Sequence, residues 1–421
     1  MDLEGFEELL SGPGQALLAE AAEADVSEDG LLGTASRLRE RYPAALVAAA
    51  LTQVRLRARA REKFGDDAAR MYFTQAGLEQ STRACVAEYR ARRFAAYLDG
   101  GRVLELGCGI GADLAARARA GCRGEGVERD PLTAAVARAN LTALGLSDLA
   151  SVRQGDATEE DPAGFAAVFA DPGRRTSRGR VFDPRSYEPP LDVVLELVGR
   201  APAGCVKAAP GIPYEAVPEG TETEWISVAG DVKEAALWSG ALAGRARRRA
   251  TLLDGRGRVW TLAPEEDPGT APVREWGRYL YEPDGAVIRA HLVAEVAAAV
   301  GGGLADEHIA YITGDALVAT PFAAAYEIDE VMPFSVKRLR AELRRRRIGT
   351  LTVKKRGSAV DVQRLRHDLG FGGKGRRTSG HGEQELTLVL TRVGKAPVAL
   401  LTHPKDLPSL EQHKASARDT S

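Results

Sequence analysis

The chain has 421 residues and a formal net charge of −2, from 57 Lys and Arg against 59 Asp and Glu. That length points to two or three domains, and 44% hydrophobic with 28% charged residues excludes a wholly disordered or collagen-like chain. No stretch approaches the roughly 18–20 consecutive apolar residues that span a bilayer, the acidic opening MDLEGFEELL lacks the basic start of a secretory signal, and Cys85, Cys108, Cys122 and Cys205 form no CxxC pair, so a reducing cytoplasm is expected rather than a disulfide framework or zinc site.

Residues 1–98 are predicted helical. Leu9, Leu10, Leu17, Leu18, Leu51, Val54 and Leu56 recur among Ala, Glu and Arg, with Gly12-Pro13 and Gly30 as punctuation. From Gly101 the texture changes. Short apolar runs at 103–106, 124–127, 150–153 and 167–170 alternate with helical stretches after Gly111 and Pro131. This rhythm predicts a parallel sheet covered by helices. Further strands are expected at 204–207, 224–228, 249–253 and 258–262. The Pro-, Gly- and acid-rich run APEEDPGTAPV at 263–273 reads as a linker. Beyond it, Val336, Leu339 and Leu343 share one helical face, and 350–354 alternates as a strand. Val362, Leu365 and Leu369 form a second helix capped by Asp361. Strands at 386–390 and 398–401 complete a small α+β domain.

The near-neutral total is a sum of opposites. Residues 335–377 hold fifteen Lys and Arg against Glu342, Asp361 and Asp368, which leaves −14 for the rest of the chain. Such asymmetry is a reason to consider a polyanionic partner. A charge run also occurs as a plain solvated helix face, and both readings stand on composition alone.

The strongest local signal is VLELGCGIG at 103–111. An apolar strand runs into a turn with glycine at every second position, and a helix follows. Glycine lets the backbone take positive φ and lets a ligand touch the main chain. Glu128 ends the next apolar run, about 20 residues on, where a carboxylate can accept bonds from ribose hydroxyls. Asp156 ends the third strand and is a candidate for an adenine amino group. Asp171-Pro172-Gly173 ends the fourth. Four successive strands thus finish in acids or glycines at the edge where open α/β sheets bind ligands.

This array resembles the class I S-adenosylmethionine-dependent methyltransferases. Glu105, Gly107, Gly109 and Gly111 match their E/D-x-G-x-G-x-G turn, with Cys108 inside it. Glu128 with Arg129 matches the ribose-binding acid, and Asp156 with Ala157 the adenine side. The resemblance implies a Rossmann-like sheet that binds S-adenosylmethionine. A nucleotide-binding oxidoreductase is the alternative, but it requires G-x-G-x-x-G, and position 112 is Ala.

Asp171 and Pro172 stand where amino-methylating members carry (D/N/S)-P-P-(Y/W/F), a motif that grips a substrate amine. Here Gly173 and Arg174 replace its last two residues. Phe182, Tyr187 and Tyr214 are candidates to replace the missing aromatic. Arg174 and Arg175, with Arg178 and Arg180, either meet substrate phosphates or pair with local acids such as Asp183. The segment YFT at 72–74 and LEQSTR at 78–83 either closes over the cofactor or packs.

The whole order resembles a bacterial family of class I methyltransferases with a THUMP-like carboxyl-terminal domain. The matching pieces are YFT, LEQSTR, ELGCGIGAD at 105–113, DPGRR at 171–175 and VKKRG at 353–357. The resemblance, more distant to trimethylguanosine synthase and other RNA methyltransferases, implies an RNA substrate, tRNA or rRNA. Lys354, Lys355 and Arg356 are its candidate RNA contacts. The expected division is a helical region at 1–71, a methyltransferase domain at 72–265 and a region at 274–405 that ends in the basic THUMP-like domain. A protein or small-molecule acceptor, or a non-catalytic binding module, remains the competing reading. The six histidines do not cluster with acids at metal spacing, so no metal is expected.

Overall fold

The computed structural model describes residues 1–27, 29–173, 175–176, 179–180, 183–255, 257–264, 266, 269–372 and 384–405, with the side chains of 175, 176, 179 and 180 left out. Two compact units emerge. The first comprises Met1–Val228, Lys233–Arg247 and Gly255–Gly257, and the second comprises Ala229–Val232, Arg248–Asp254 and Arg258–Ser421.

The first unit opens with four helices, α1 (Leu3–Leu10), α2 (Gly12–Ala22), α3 (Leu31–Arg39) and α4 (Ala44–Phe64). Asp2 and Ser11 cap the first two through bonds to the amides of Gly5 and Gly14. Phe6, Leu9, Leu17, Leu38 and Val47 are fully buried in one core with Tyr72, Phe73, Ile110 and Val136. Met71–Phe73 is not helical. Asn140 binds the amide and carbonyl of Tyr72, and Gln53 those of Phe73. Both rings therefore pack, with Tyr72 edge-on to Phe6 at 5.6 Å. Thr74 caps the short helix α5 (Gln75–Gln80), and α6 (Ala84–Tyr97) follows.

Seven strands then alternate with helices α7 (Ala112–Arg119), α8 (Pro131–Ala143) and α9 (Leu191–Gly199). The strands are β1 (Arg102–Leu106), β2 (Arg123–Glu128), β3 (Ala150–Gln154), β4 (Ala167–Ala170), β5 (Ala203–Ala208), β6 (Glu222–Val228) and β7 (Asp231–Gly240). Within the unit their order is β3-β2-β1-β4-β5-β7-β6. β1 to β5 are parallel, and β7 runs antiparallel to β5. The order reverses between β1 and β4, and open α/β sheets bind ligands at the carboxyl ends of such a pair. β4 is buried throughout, as its apolar run AVFA requires.

The second unit includes the antiparallel pair β8 (Arg248–Leu253) and β9 (Val259–Leu262). It also holds a sheet in the order β11-β12-β10-β13-β16-β15-β14, from β10 (Tyr279–Pro283), β11 (Gly303–Asp306), β12 (Ile309–Gly314), β13 (Ala323–Pro333), β14 (Ile348–Lys355), β15 (Gln384–Val393) and β16 (Ala396–Lys405). Helices α10 (Gly285–Arg289) and α11 (Val293–Ala299) precede β11. Helices α12 (Val336–Arg345) and α13 (Val362–Leu369) bury Leu339, Leu343, Leu365 and Leu369 against Leu351, Leu388 and Leu401. The strands expected here were fewer. β10 to β13 add four, among them the eleven-residue β13. Among the described residues, no helix is long and apolar enough to cross a membrane.

Candidate active site

A cavity of about 440 Å³ opens at the carboxyl ends of β1, β2 and β4. That volume lies within the roughly 300–1,000 Å³ of small-molecule sites. The turn after β1 forms its floor. Gly107, Gly109 and Gly111 take φ of 72°, 54° and 80°, a region costly for side chains other than glycine. Gly107, Cys108 and Gly109 line the cavity. A Cβ on Gly109 would meet nothing within 4 Å, so bare main chain faces open space. Gly111 has a different task. It precedes α7 and packs beside α8, where a Cβ would sit in ordinary contact with Ala137 at 3.4 Å.

The acids at the strand ends converge on this space. Glu128 accepts from the amide of Gly109 at 2.9 Å and from that of Asp130 at 3.0 Å. Its carboxylate thus pins the turn and keeps lone pairs for hydroxyls. Asp156 accepts from the amide and hydroxyl of Thr158, which lower its pKa, and lies with Ala157 on the cavity wall. Arg129 pairs with Glu188 at 2.7 Å, and both line the cavity. Asp171 and Pro172 line it from β4, and Gln80, Ser81 and Thr82 from the α5–α6 segment.

Behind the wall lies a buried charge network. Glu105 contacts Arg117, and both are buried. Burial pushes the Glu105 carboxyl up to about 8, against the pull of Arg117. Asp113 accepts from Thr82 at 2.8 Å and from Arg90 at 2.6 Å. Burial works against its ionised form, but Arg90, Lys207 and Arg117 prevail and hold its pKa low. Arg90 also meets Glu234 at 3.2 Å, whose pKa burial raises. Lys207 donates to Asp171 at 2.6 Å and to Thr82 at 2.9 Å. The sequence predicts the strand that ends at Lys207 but not its partners, and it carries no signal for Glu234. Arg90, Asp113 and the Thr82 junction were also missed; ELGCGIGAD and LEQSTR contain two of the three, and only the fold joins them.

Several expected groups stand elsewhere. Tyr187 is buried and accepts from the amide of Ala209, while Tyr214 stacks on Trp225 at 5.3 Å. Neither is among the residues that line the cavity. Arg174, Arg178 and Phe182 lie outside the described residues, as do the side chains of Arg175 and Arg180. In the second unit, strand alternation splits the basic triplet. Lys354 donates to Glu282 at 2.5 Å, Arg356 lies over the Tyr311 ring at 5.0 Å, and exposed Lys355 donates to the carbonyl of Val360.

Comparison with known proteins adds the chemistry. Residues 2–60 match a family described as a domain of unknown function (DUF8688), and residues 323–404 one described as THUMP domain-like. Two proteins of Mycobacterium tuberculosis, from strains CDC 1551 / Oshkosh and ATCC 25618 / H37Rv, are each 37% identical over 359 residues. The match spans 82% of this chain and 93% of theirs, and each is described as an uncharacterized S-adenosylmethionine-dependent methyltransferase. The chain belongs to this family of S-adenosylmethionine-dependent methyltransferases. A crystal structure from Porphyromonas gingivalis W83, described as a candidate methyltransferase, shares the fold with a TM-score of 0.72 at 22% identity, over 95% of this chain and 99% of that one.

The methyltransferase cavity suits S-adenosylmethionine on its own geometry. Its volume fits a nucleoside-sized ligand, the Gly107–Gly109 main chain is open to it, and Glu128 offers unused acceptor capacity. Carboxylates at Glu128 and Asp156 on its wall favour a positively charged cofactor.

Proposed function

We propose that this methyltransferase acts in the cytoplasm on a nucleobase of RNA, in tRNA or rRNA, and that its second unit holds the RNA by its phosphates. The observation that carries the RNA reading is the outer face of α12. Lys337, Arg338 and Arg344, with Arg347 just beyond, are exposed and pair with no carboxylate among the described residues. Lys337, Arg340 and Arg344 line one shallow groove. Arg340 donates to the carbonyl of Asp368 and so keeps its full charge. Cations spaced along one face follow a phosphate backbone without choosing sequence. The THUMP-like match over 323–404 supports the same reading, as does the exposed Lys355; Lys354 and Arg356 face Glu282 instead. Four free cysteines agree with a reducing compartment.

In this reading Glu105, Gly107, Cys108, Gly109 and Gly111 shape the cradle for the amino acid part of the cofactor, Glu128 and Arg129 its ribose side, and Asp156 and Ala157 its adenine side. Bound S-adenosylmethionine supplies an activated methyl group. Asp171 and the main chain at Pro172 hold the acceptor amine of the base in line with that methyl, and alignment is the main source of rate. Arg174 and Arg175 meet phosphates beside the base. The test is transfer of tritium-labelled methyl to total RNA from a strain that lacks the gene, followed by nucleoside mass spectrometry. A labelled base absent from the deletion strain is the expected result. Labelled protein or metabolite with unlabelled RNA refutes the RNA reading. Cofactor binding without transfer to any acceptor favours a binding module.

A further inference from the structure

We infer that Lys207 is a positioning residue for methyl transfer: it clamps one oxygen of Asp171 so that the other faces the acceptor. The inference rests on the reading of Asp171 as the acceptor-binding group. Lys207 sits on β5 next to β4. The register pairs Ala170 with Val206, so the following residues, Asp171 and Lys207, lie side by side at the strand ends. The lysine is 4% exposed, and its ammonium spans Asp171 Oδ2 at 2.6 Å and Thr82 Oγ1 at 2.9 Å.

A lysine this buried is costly without partners. Its partners here form a chain. Thr82 donates to Asp113, Asp113 binds Arg90, and Arg90 meets Glu234. The ammonium is thereby fixed from behind, on a strand, by groups that are themselves buried. Asp171 is different. It stands past the end of β4, its side chain is 23% exposed, and it lines the cavity. The terminal torsion of an aspartate is broad and roughly two-fold. Unclamped, its carboxylate presents either oxygen over a range of angles. With Oδ2 held by Lys207, Oδ1 has one direction left.

That restraint matters more here than in a site with a second anchor. Gly173 and Arg174 stand where amino-methylating relatives carry a proline and an aromatic, and neither Tyr187 nor Tyr214 lines the cavity. Among the described residues Asp171 thus has a large share of the alignment. Misplacing reacting groups by 1 Å costs about 100-fold in rate.

The experiment compares full-length Lys207→Met, Lys207→Arg, Asp171→Ala and the parent. Labelled methyl transfer to total RNA from the deletion strain gives kcat, calorimetry gives affinity for S-adenosylmethionine, and crystal structures give the Asp171 rotamer. The expected Lys207→Met enzyme binds the cofactor within about twofold of the parent and loses roughly 100-fold in kcat. Lys207→Arg recovers most of that loss. Asp171 in Lys207→Met adopts more than one rotamer. Parental kcat in Lys207→Met beside a dead Asp171→Ala overturns the clamp, and parental kcat in Asp171→Ala overturns the reading of Asp171 itself. A single parental rotamer of Asp171 in Lys207→Met overturns the clamp whatever the acceptor proves to be. Should Lys207→Met fail to fold, Thr82→Val, which removes the rear support of the ammonium, carries the same rotamer and kcat readouts, and parental values there overturn the clamp.

Discussion

Consider neutralising the outer face of α12 by the triple change Lys337→Gln, Arg344→Gln and Arg347→Gln. All three side chains are exposed and none contributes to the leucine core of the unit, so each substitution changes stability by no more than about 0.5 kcal/mol. Arg345 and Arg346 are poor choices, because Glu342 already engages both and Arg346 also meets Asp329 and Glu330. Each phosphate contact adds about 0.7 to the slope of log affinity against log salt for single strands and about 0.9 for duplex. Three lost contacts therefore flatten the slope by about 2 to 2.7. The parent and variant lines converge near 1 M salt, so at roughly 0.1 M their affinities differ by about 100- to 500-fold. Anisotropy of labelled total tRNA, across roughly 50–400 mM KCl, reads both slopes. Parallel lines for parent and variant refute the assignment of this face to phosphate contact.

Other expectations concern the cavity. Glu128→Ala removes two charge-assisted bonds to main-chain amides and is expected to weaken S-adenosylmethionine binding by about 10- to 100-fold by calorimetry; an unchanged affinity refutes the role of Glu128. Gly109→Ala imposes a side chain at φ 54°, with an expected stability loss of about 1–2 kcal/mol in urea and weaker cofactor binding, and full affinity speaks against main-chain contact there. Glu105 gives a pH signature. Its carboxyl is raised from 4.5 to about 8 by burial, so the folded chain keeps a proton that the unfolded chain releases. That contribution is complete below pH 4.5 and is lost as pH rises through about 8. Parent melting temperature is expected to fall across this window relative to Glu105→Gln, and equal pH profiles of the two exclude the effect.

The sheet and its acids were legible because each signal was local. A buried parallel strand reads as an apolar run, and glycines at every second position mark the turn that ends β1. Glu128, Asp156 and Asp171 follow from strand ends alone. The charge network was not legible, because its members come from α5–α6, α7, β5 and β7. Thr82 and Lys207 are 125 positions apart, and only the β4–β5 register places Asp171 beside the lysine. Glu222 and Glu234 belong to no motif, yet both are buried, facing Arg93 and Arg90. In the second unit β13 reads AAAYEIDEVMP, rich in residues of poor strand propensity. Its neighbours on both sides impose the extended form. The basic triplet 354–356 failed as one patch for the simplest reason: successive residues of a strand face opposite ways.

Asn140 deserves a different description from its place in α8. Its side chain receives the amide of Tyr72 and gives protons to the carbonyls of Tyr72 and Ile110. Ile110 belongs to the turn that borders the cavity, and its side chain shares a core with Phe6 and Leu17. One amide thus ties Tyr72, whose ring packs on Phe6 of the first helix, to the loop at the cavity. An engineer who trims the leading helices to obtain a minimal catalytic fragment would strip the apolar cover from Ile110 and leave that loop without its rear wall. The leading helices are part of the cavity's masonry, and a shortened enzyme has to replace their support before the loop can be expected to keep its shape.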